Sequence, residues 1–204
     1  VLKIMLSVSK EQRDNPLFLR DLVDVGKQYI AQLFNYHIIR LYKNFTWQNS
    51  KGFEKQAKIT NRLMEFQKHL LSSWPPYYVK TTIDSAYASS PYLNKSDIAR
   101  DVKNTYSALG GLPHYPTLLD YASCDLYELV RDYYQPRVEA YISQLRERLQ
   151  EGKTGVDWKA LDRKYFSITK NWINNPLNRT GYNSPTQIIP TVDKILKETK
   201  VPRD

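Results

Sequence analysis

The chain has 204 residues, of which 41% are hydrophobic and 13% aromatic, with 16 tyrosines and a formal net charge of +9. That length and apolar content describe a globular protein able to enclose a core without staples, and they argue against disorder. No run of about 18 apolar residues occurs, so neither a transmembrane helix nor a membrane partner is expected, and the lone Cys124 excludes an intrachain disulfide and a multi-cysteine zinc site.

The opening VLKIMLSVSKEQ spaces Leu2, Ile4, Met5, Leu6 and Val8 like the tail of a helix that began upstream, and it lacks the n-region and cleavage site of a signal peptide. Asn15 and Pro16 make a helix entry, the first as N-cap and the second at the first helical position. From there Phe18, Leu22, Val25, Tyr29, Leu33 and Tyr36 recur at helical steps and predict a long, packed helix. Asn49 and Ser50 can cap a second, carried by Phe53, Ala57, Thr60 and Met64 and ended at Trp74-Pro75-Pro76.

A shorter helix follows through Val79, Ile83, Ala86 and Tyr87. SSPYLNKS is a loop, Ser96 caps the next helix, with Ile98, Val102, Thr105 and Leu109 in line, and Gly110-Gly111 stop it. GGLPHYPT, irregular with two glycines and two prolines, is the kind of loop that carries function.

The stretch Leu118 to Arg137 reads as the spine of the domain. Leu118, Ala122, Leu126, Leu129 and Tyr133 fall at steps of four, four, three and four, the stripe of a core-facing helix. Pro136 should kink or stop that helix near Tyr134, because it has no N–H and its ring crowds the preceding turn. A second stripe restarts at Val138, Tyr141, Ile142, Leu145 and Leu149.

Asp157 then caps a helix with Trp158, Leu161, Tyr165, Ile168 and Trp172 on one face, and NNPLNRTGYN is a loop. Ser184, Pro185 and Gln187 open a last helix, which Pro190 should bend. Alternating strand patterns are nearly absent. The expected architecture is all-α, an irregular array of about eight helices with a long helix kinked near Pro136, in a single domain over 1–204.

The surplus of positive charge invites a nucleic-acid reading, since lysine and arginine draw affinity from phosphates. In KNFTWQNSKGFEKQAKITNR and RVEAYISQLRERLQEGK, however, basic residues sit at helical spacing and partly alternate with acids, the pattern of a solvated outer face. No nucleic-acid partner is expected on that reading. His37, His69 and His114 lie far apart and show no metal-ligand spacing, so neither a metal nor another cofactor is expected.

Glycine-rich phosphate loops and nucleophile elbows are missing as motifs, so no nucleotide or serine-nucleophile site is argued. Asp125, Glu128 and Asp132, spaced i, i+3 and i+7, would share a helix face. A glycosidase needs two carboxyl groups roughly 5 to 9.5 Å apart, but such spacing is also common on solvated faces, and no catalytic residue is assigned. Sequons at Asn44 (NFT), Asn94 (NKS) and Asn178 (NRT) hint at a secretory, lysosomal or extracellular route, with the two loop sites the better acceptors.

LLDYASCDLYELVRDYYQPRVEAYISQL resembles the DYA…GL…YY/FY…PRW segment in the C-terminal helical domain of the alpha-N-acetylglucosaminidases, glycoside hydrolases that remove terminal alpha-linked N-acetylglucosamine. LRDLVDVGKQYIAQLF is similar to that family's YDLVDVTRQxLxxL helix, in the right order and at the expected distance, and FSITKNWI with the Ser-Pro-led last helix fits its layout. The resemblance implies a divergent member: the C-terminal part of a larger glycosidase, partnered by an N-terminal barrel of the same polypeptide that holds both catalytic glutamates. The fragment alone would then be inactive.

The resemblance further implies that Tyr121, Asp120 and Leu118 lie near a glycan bearing terminal N-acetylglucosamine. It departs from the family at several places: Leu109 stands where a tryptophan is expected, Lys103 near the family arginine, Thr82 at a second tryptophan position, and PRW has become Pro136-Arg137-Val138. Tryptophan faces supply much of the contact to a pyranose ring, and leucine has no comparable π surface. For Arg137 the expected role is to tie down carbonyls at the end of the first helical segment. The alternatives to an accessory domain of a glycosidase are a helical polyanion-binding domain and a protein-interaction scaffold.

Overall fold

The computed structural model describes residues 1–109, 118–119 and 124–199, with the backbone alone at 109, 118 and 119. In chain order it contains α1 (Leu2–Ser7), α2 (Ser9–Gln12), α3 (Pro16–Thr46), α4 (Ser50–Leu71), α5 (Val79–Ser89) and α6 (Lys95–Ser107). Two short strands follow, β1 (Ala108–Leu109) and β2 (Leu118–Leu119). Then come α7 (Tyr127–Leu129), a π-helical turn (Val130–Tyr134), α8 (Gln135–Gln150), α9 (Trp158–Asn174) and α10 (Ile188–Glu198). The fold is all-α, relieved among the described residues by one two-residue antiparallel ladder.

Local chemistry sets several boundaries where the sequence placed them. Asn15 caps α3, its Oδ1 accepting from Leu17 N and Phe18 N, with Pro16 next. Asn49 caps α4 through Gly52 N, and Asp157 caps α9 through Ala160 N. In α6 the cap is Asn94 rather than Ser96: Asn94 Oδ1 accepts from Ser96 N at 2.8 Å and from the Ser96 hydroxyl at 2.7 Å. That helix ends at Ser107, ahead of the glycines expected to stop it, because Ala108 turns out of the helix into β1. Pro190 lies in the first turn of α10, where its missing N–H leaves no helical bond unmade.

The spine differs most. No helix begins at Leu118; Leu118–Leu119 form β2, and Leu126, at φ −119° and ψ 145°, is still extended just before Tyr127. The expected break before Pro136 takes the form of the π-turn Val130–Tyr134, through which the helix runs on as far as Gln150. A wider turn accommodates the proline ring and its missing donor without ending the helix.

The chain divides into two compact units, residues 1–75 with 181–204, and residues 76–180. In the first, α3 and α4 are joined by Trp47–Asn49 into a helical hairpin, and α10 packs on both. Their buried faces meet through Leu22, Ile30 and Phe45, Phe53, Leu63 and Leu70, and Ile188, Val192 and Ile195. Gly26 makes the close approach possible, since a Cβ there would lie 2.8 Å from Leu70 Cδ2 and 3.6 Å from Val192 Cγ2. Arg62 pairs with Glu198 at 2.9 Å and Tyr29 donates to the Thr199 carbonyl at 3.2 Å, both fixing the end of α10.

In the second unit the core is Val79, Ile83, Ala108, Leu129, Tyr133, Trp172 and Ile173. Leu126, Cys124 and Ile168 pack against it, so Leu126 of the apolar stripe reaches the core although it is extended. Trp158, expected on the buried face of α9, is 61% exposed at the first helical position.

Candidate functional site

Of the three residues implied to approach a sugar, Asp120 and Tyr121 lie outside the described residues, and Leu118 is placed by its backbone. In the ladder Leu109 pairs with Leu118 and Ala108 with Leu119. The pairing brings the end of α6 against the two residues that precede Asp120 and Tyr121 in sequence. Leu109 and Leu118, with eight residues between them in sequence, are thus neighbours. The second position where a tryptophan is expected, Thr82 on α5, has its hydroxyl 3.2 Å from that of Tyr106 on α6.

Two of the carboxylates expected on one face, Glu128 and Asp132, have separate structural roles. Asp125 precedes the helix. Glu128 is 0% exposed and accepts from the backbone of the first turn of α5, Val79 N at 2.8 Å and Lys80 N at 3.3 Å. A buried anion there supplies acceptors to orphan N–H groups and opposes the positive end of the helix. Burial, then the charge of Glu128, push the Tyr78 phenol up to about 12.

Asp132 is gripped by Arg131, Nε to Oδ1 at 2.6 Å. The same guanidinium donates to the carbonyls of Asn178 and Thr180, both at 2.7 Å, and so holds the loop after α9. Nothing in the sequence singled out Glu128 or Arg131 for these tasks; their partners lie about fifty residues away and follow no local pattern.

Arg137 also differs from expectation. The helix continues through it, so there is no C-terminus for it to cap; its guanidinium lies 4.9 Å from the Tyr133 ring centre and 4.7 Å from that of Tyr165, and it donates to the Tyr133 hydroxyl at 2.9 Å.

Two adjoining cavities open on this unit. One of about 410 Å³ is lined by Lys95, Arg100, Lys103 and Arg179 with Asp97, and the other, about 220 Å³, by Asp132, Asn171, Trp172 and Asn178; Lys103, Asn175, Pro176 and Leu177 belong to both. Lys103 is 3% exposed, donates to the Asn175 carbonyl at 2.6 Å and lies 5.6 Å from the Trp172 ring centre. Burial pulls its ammonium down to about 8, against the opposing pull of Asp132.

A pH dependence follows from that lowered value. Below about 8 both folded and unfolded chains hold the proton; between about 8 and the ordinary 10.5 the unfolded chain alone keeps it, so stability contributed by this site rises with pH. Urea unfolding of the wild type and of Lys103→Met is expected to show the wild type gaining on the variant from pH 7.5 to pH 10. A difference that stays flat over that range would contradict the buried, uncompensated ammonium.

Among the described residues no helix is long and apolar enough to cross a membrane. Two sequons are exposed: Asn94 at the start of α6 and Asn178 in the loop held by Arg131. Asn44 is half-buried near the end of α3 and donates to the Arg40 carbonyl at 2.7 Å.

A family model described as the alpha-N-acetylglucosaminidase (NAGLU) C-terminal domain matches residues 1–197. The chain belongs to this family. Solved structures with the same fold include CpGH89 from Clostridium perfringens in complex with its substrate GlcNAc-alpha-1,4-galactose, at a TM-score of 0.81 and 20% identity over 97% of this chain. A family 89 glycoside hydrolase from Clostridium perfringens in complex with PUGNAc gives a TM-score of 0.77 and 19% identity over 96% of this chain. The chain spans 23% of the length of each. A comparison with curated protein sequences returned no match.

For a member of the NAGLU C-terminal family, the motif residues Tyr133, Tyr134, Pro136 and Arg137 acquire a physical meaning. Tyr133 is the centre of the second core, its ring 5.2 Å from Tyr134 and 6.3 Å from Trp172, and Arg137 clasps it from the next turn. The motif marks packing, whereas the Leu109–Leu118 ladder ties the end of α6 to Leu118–Leu119.

Proposed function

We propose that this chain is the C-terminal helical accessory domain, spanning 1–204, of an alpha-N-acetylglucosaminidase-like glycoside hydrolase. In this reading it packs on an N-terminal catalytic barrel of the same polypeptide and lines the cleft for terminal N-acetylglucosamine with the segment Leu118, Asp120 and Tyr121. The observation that carries the reading is the family match over 1–197. It is supported by the ladder that anchors this segment at the end of α6 and by the structural occupations of Glu128 and Asp132, which leave the acid–base pair to another part of the polypeptide.

The proposed division of labour separates chemistry from positioning. A cleft wall from a second domain contributes by orienting the sugar, and lost orientation is felt in turnover as well as in binding. With leucine at position 109, the apolar contact to the sugar ring is weaker than a tryptophan face would give, so more of the recognition rests on Asp120 and Tyr121.

The test is kcat/KM of the full polypeptide on an aryl alpha-N-acetylglucosaminide, for the wild type and for Tyr121→Ala and Asp120→Asn. Each substitution is expected to lower kcat/KM by about ten-fold or more while leaving the unfolding midpoint in place. Unchanged kinetics in both variants would refute cleft lining, and a polypeptide without a barrel upstream would refute the accessory role.

A further inference from the structure

The larger cavity of the second unit is walled by cations from two directions. Lys95 and Arg100 come from α6, Arg179 from the loop after α9, and Lys103 from the middle of α6 forms part of the floor. Among the described residues the carboxylates that face them are few. Asp97 pairs with Arg100 at 3.0 Å, with Asp101 at 3.9 Å on the other side of the same guanidinium. Among the described residues Asp84 serves Lys80, Lys95 at 2.7 Å and Arg179 at 3.5 Å, and the hydrogen bonds from Lys80 and Lys95 hold its carboxyl down at about 2. Lys95, Arg100, Lys103 and Arg179 line the cavity with Asp97 as the lining carboxylate among the described residues, and Asp84 is divided between Lys95, Arg179 and Lys80, so the wall is positive.

Lys103 adds to that imbalance from below. Its ammonium has three donors, and among the described residues the acceptor it meets is a neutral carbonyl, that of Asn175. Asp132, facing it from the smaller cavity, is already chelated by Arg131. Burying a cation against a neutral acceptor costs free energy that a methionine or leucine of similar size would not incur. A negative group seated in the larger cavity would neutralise it.

We propose that this cavity binds a small ligand through a sulfate- or phosphate-type oxyanion, held between Lys95, Arg179 and Lys103. The volume of about 410 Å³ is that of a small-molecule site. It is a cavity and not a long basic track, which favours a small ester or free ion over a nucleic-acid strand. The site uses none of the residues proposed for the sugar cleft, so either proposal can fail without the other.

The experiment follows the lysine ε-methylene resonances of the protein by NMR at constant ionic strength. The probes are inorganic sulfate, inorganic phosphate, a hexose 6-sulfate, a hexose 6-phosphate and chloride as the control. Sulfate or phosphate is expected to give a saturable shift at Lys103 and to raise its titration midpoint by about one pH unit, since a nearby anion favours the charged form. Lys95→Gln and Arg179→Gln, both on solvent-accessible side chains, are expected to weaken binding by about five-fold or more each.

A hexose ester binding tighter than the inorganic ion supports the site and identifies which ester it takes; equal affinities support it as a site for the free ion. A response that chloride reproduces, that does not saturate, or that survives both substitutions overturns the proposal.

Discussion

Replacing Glu128 by alanine is expected to destabilise the protein by about 2–4 kcal/mol. Glu128 is fully buried, and its carboxylate accepts from Val79 N and Lys80 N at the start of α5. Truncation leaves those donors without their acceptor in a place where water does not readily replace it, and an unmet buried donor costs about 1–3 kcal/mol. The loss of negative charge at a helix N-terminus adds to this. Glu128→Gln keeps the shape and one acceptor oxygen and should cost less than the alanine variant. Urea unfolding of the three proteins measures the order; an alanine variant within about 0.5 kcal/mol of wild type would remove the capping role.

Tyr133→Ala should be at least as severe, about 3–5 kcal/mol, the range for removing a buried aromatic ring. Tyr133 is 0% exposed and packs on Trp172 of α9 and on its neighbour Tyr134. Its loss also releases the guanidinium of Arg137, which bridges the rings of Tyr133 and Tyr165 and so links α8 to α9. Tyr133→Phe keeps the ring and loses the hydroxyl that accepts from Arg137, and should cost about 1 kcal/mol. If the alanine and phenylalanine variants unfold at the same urea concentration, the ring is not the element that holds this core.

What the sequence revealed and what it concealed divide along one line, the distance in sequence between partners. Asn15 with Pro16, Asn49 and Asp157 were legible because a cap is made with residues two or three positions on. The stripe from Leu118 was misread at its start because periodicity reports which residues can share a face, not whether the chain is coiled between them. Leu126, Leu129 and Tyr133 do reach one core, while Leu118 pairs with Leu109, a partner nine positions back that periodicity does not report. The same holds at the site. Glu128 looked like one of three carboxylates on a solvated face, yet its partners are at 79 and 80, and Lys103 gave no sign that it was buried. The family resemblance supplied what periodicity could not, the order and spacing of two helices far apart in the chain, and it fixed the fold.

The π-turn Val130–Tyr134 carries one residue beyond a regular helical turn, and in an α-helix one residue is about 100° of rotation. The two stretches of helix on either side of it therefore keep separate angular settings along one rod. Glu128 and Leu129, before the turn, are set for α5 and the second core; Ile142, Leu145 and Leu149, after it, are set for the buried side of α8. The extra residue acts as an angular spacer between two gears. Deleting a residue within Val130–Tyr134 would restore a regular helix and swing one gear out of mesh, so the length of this segment is as constrained as its composition.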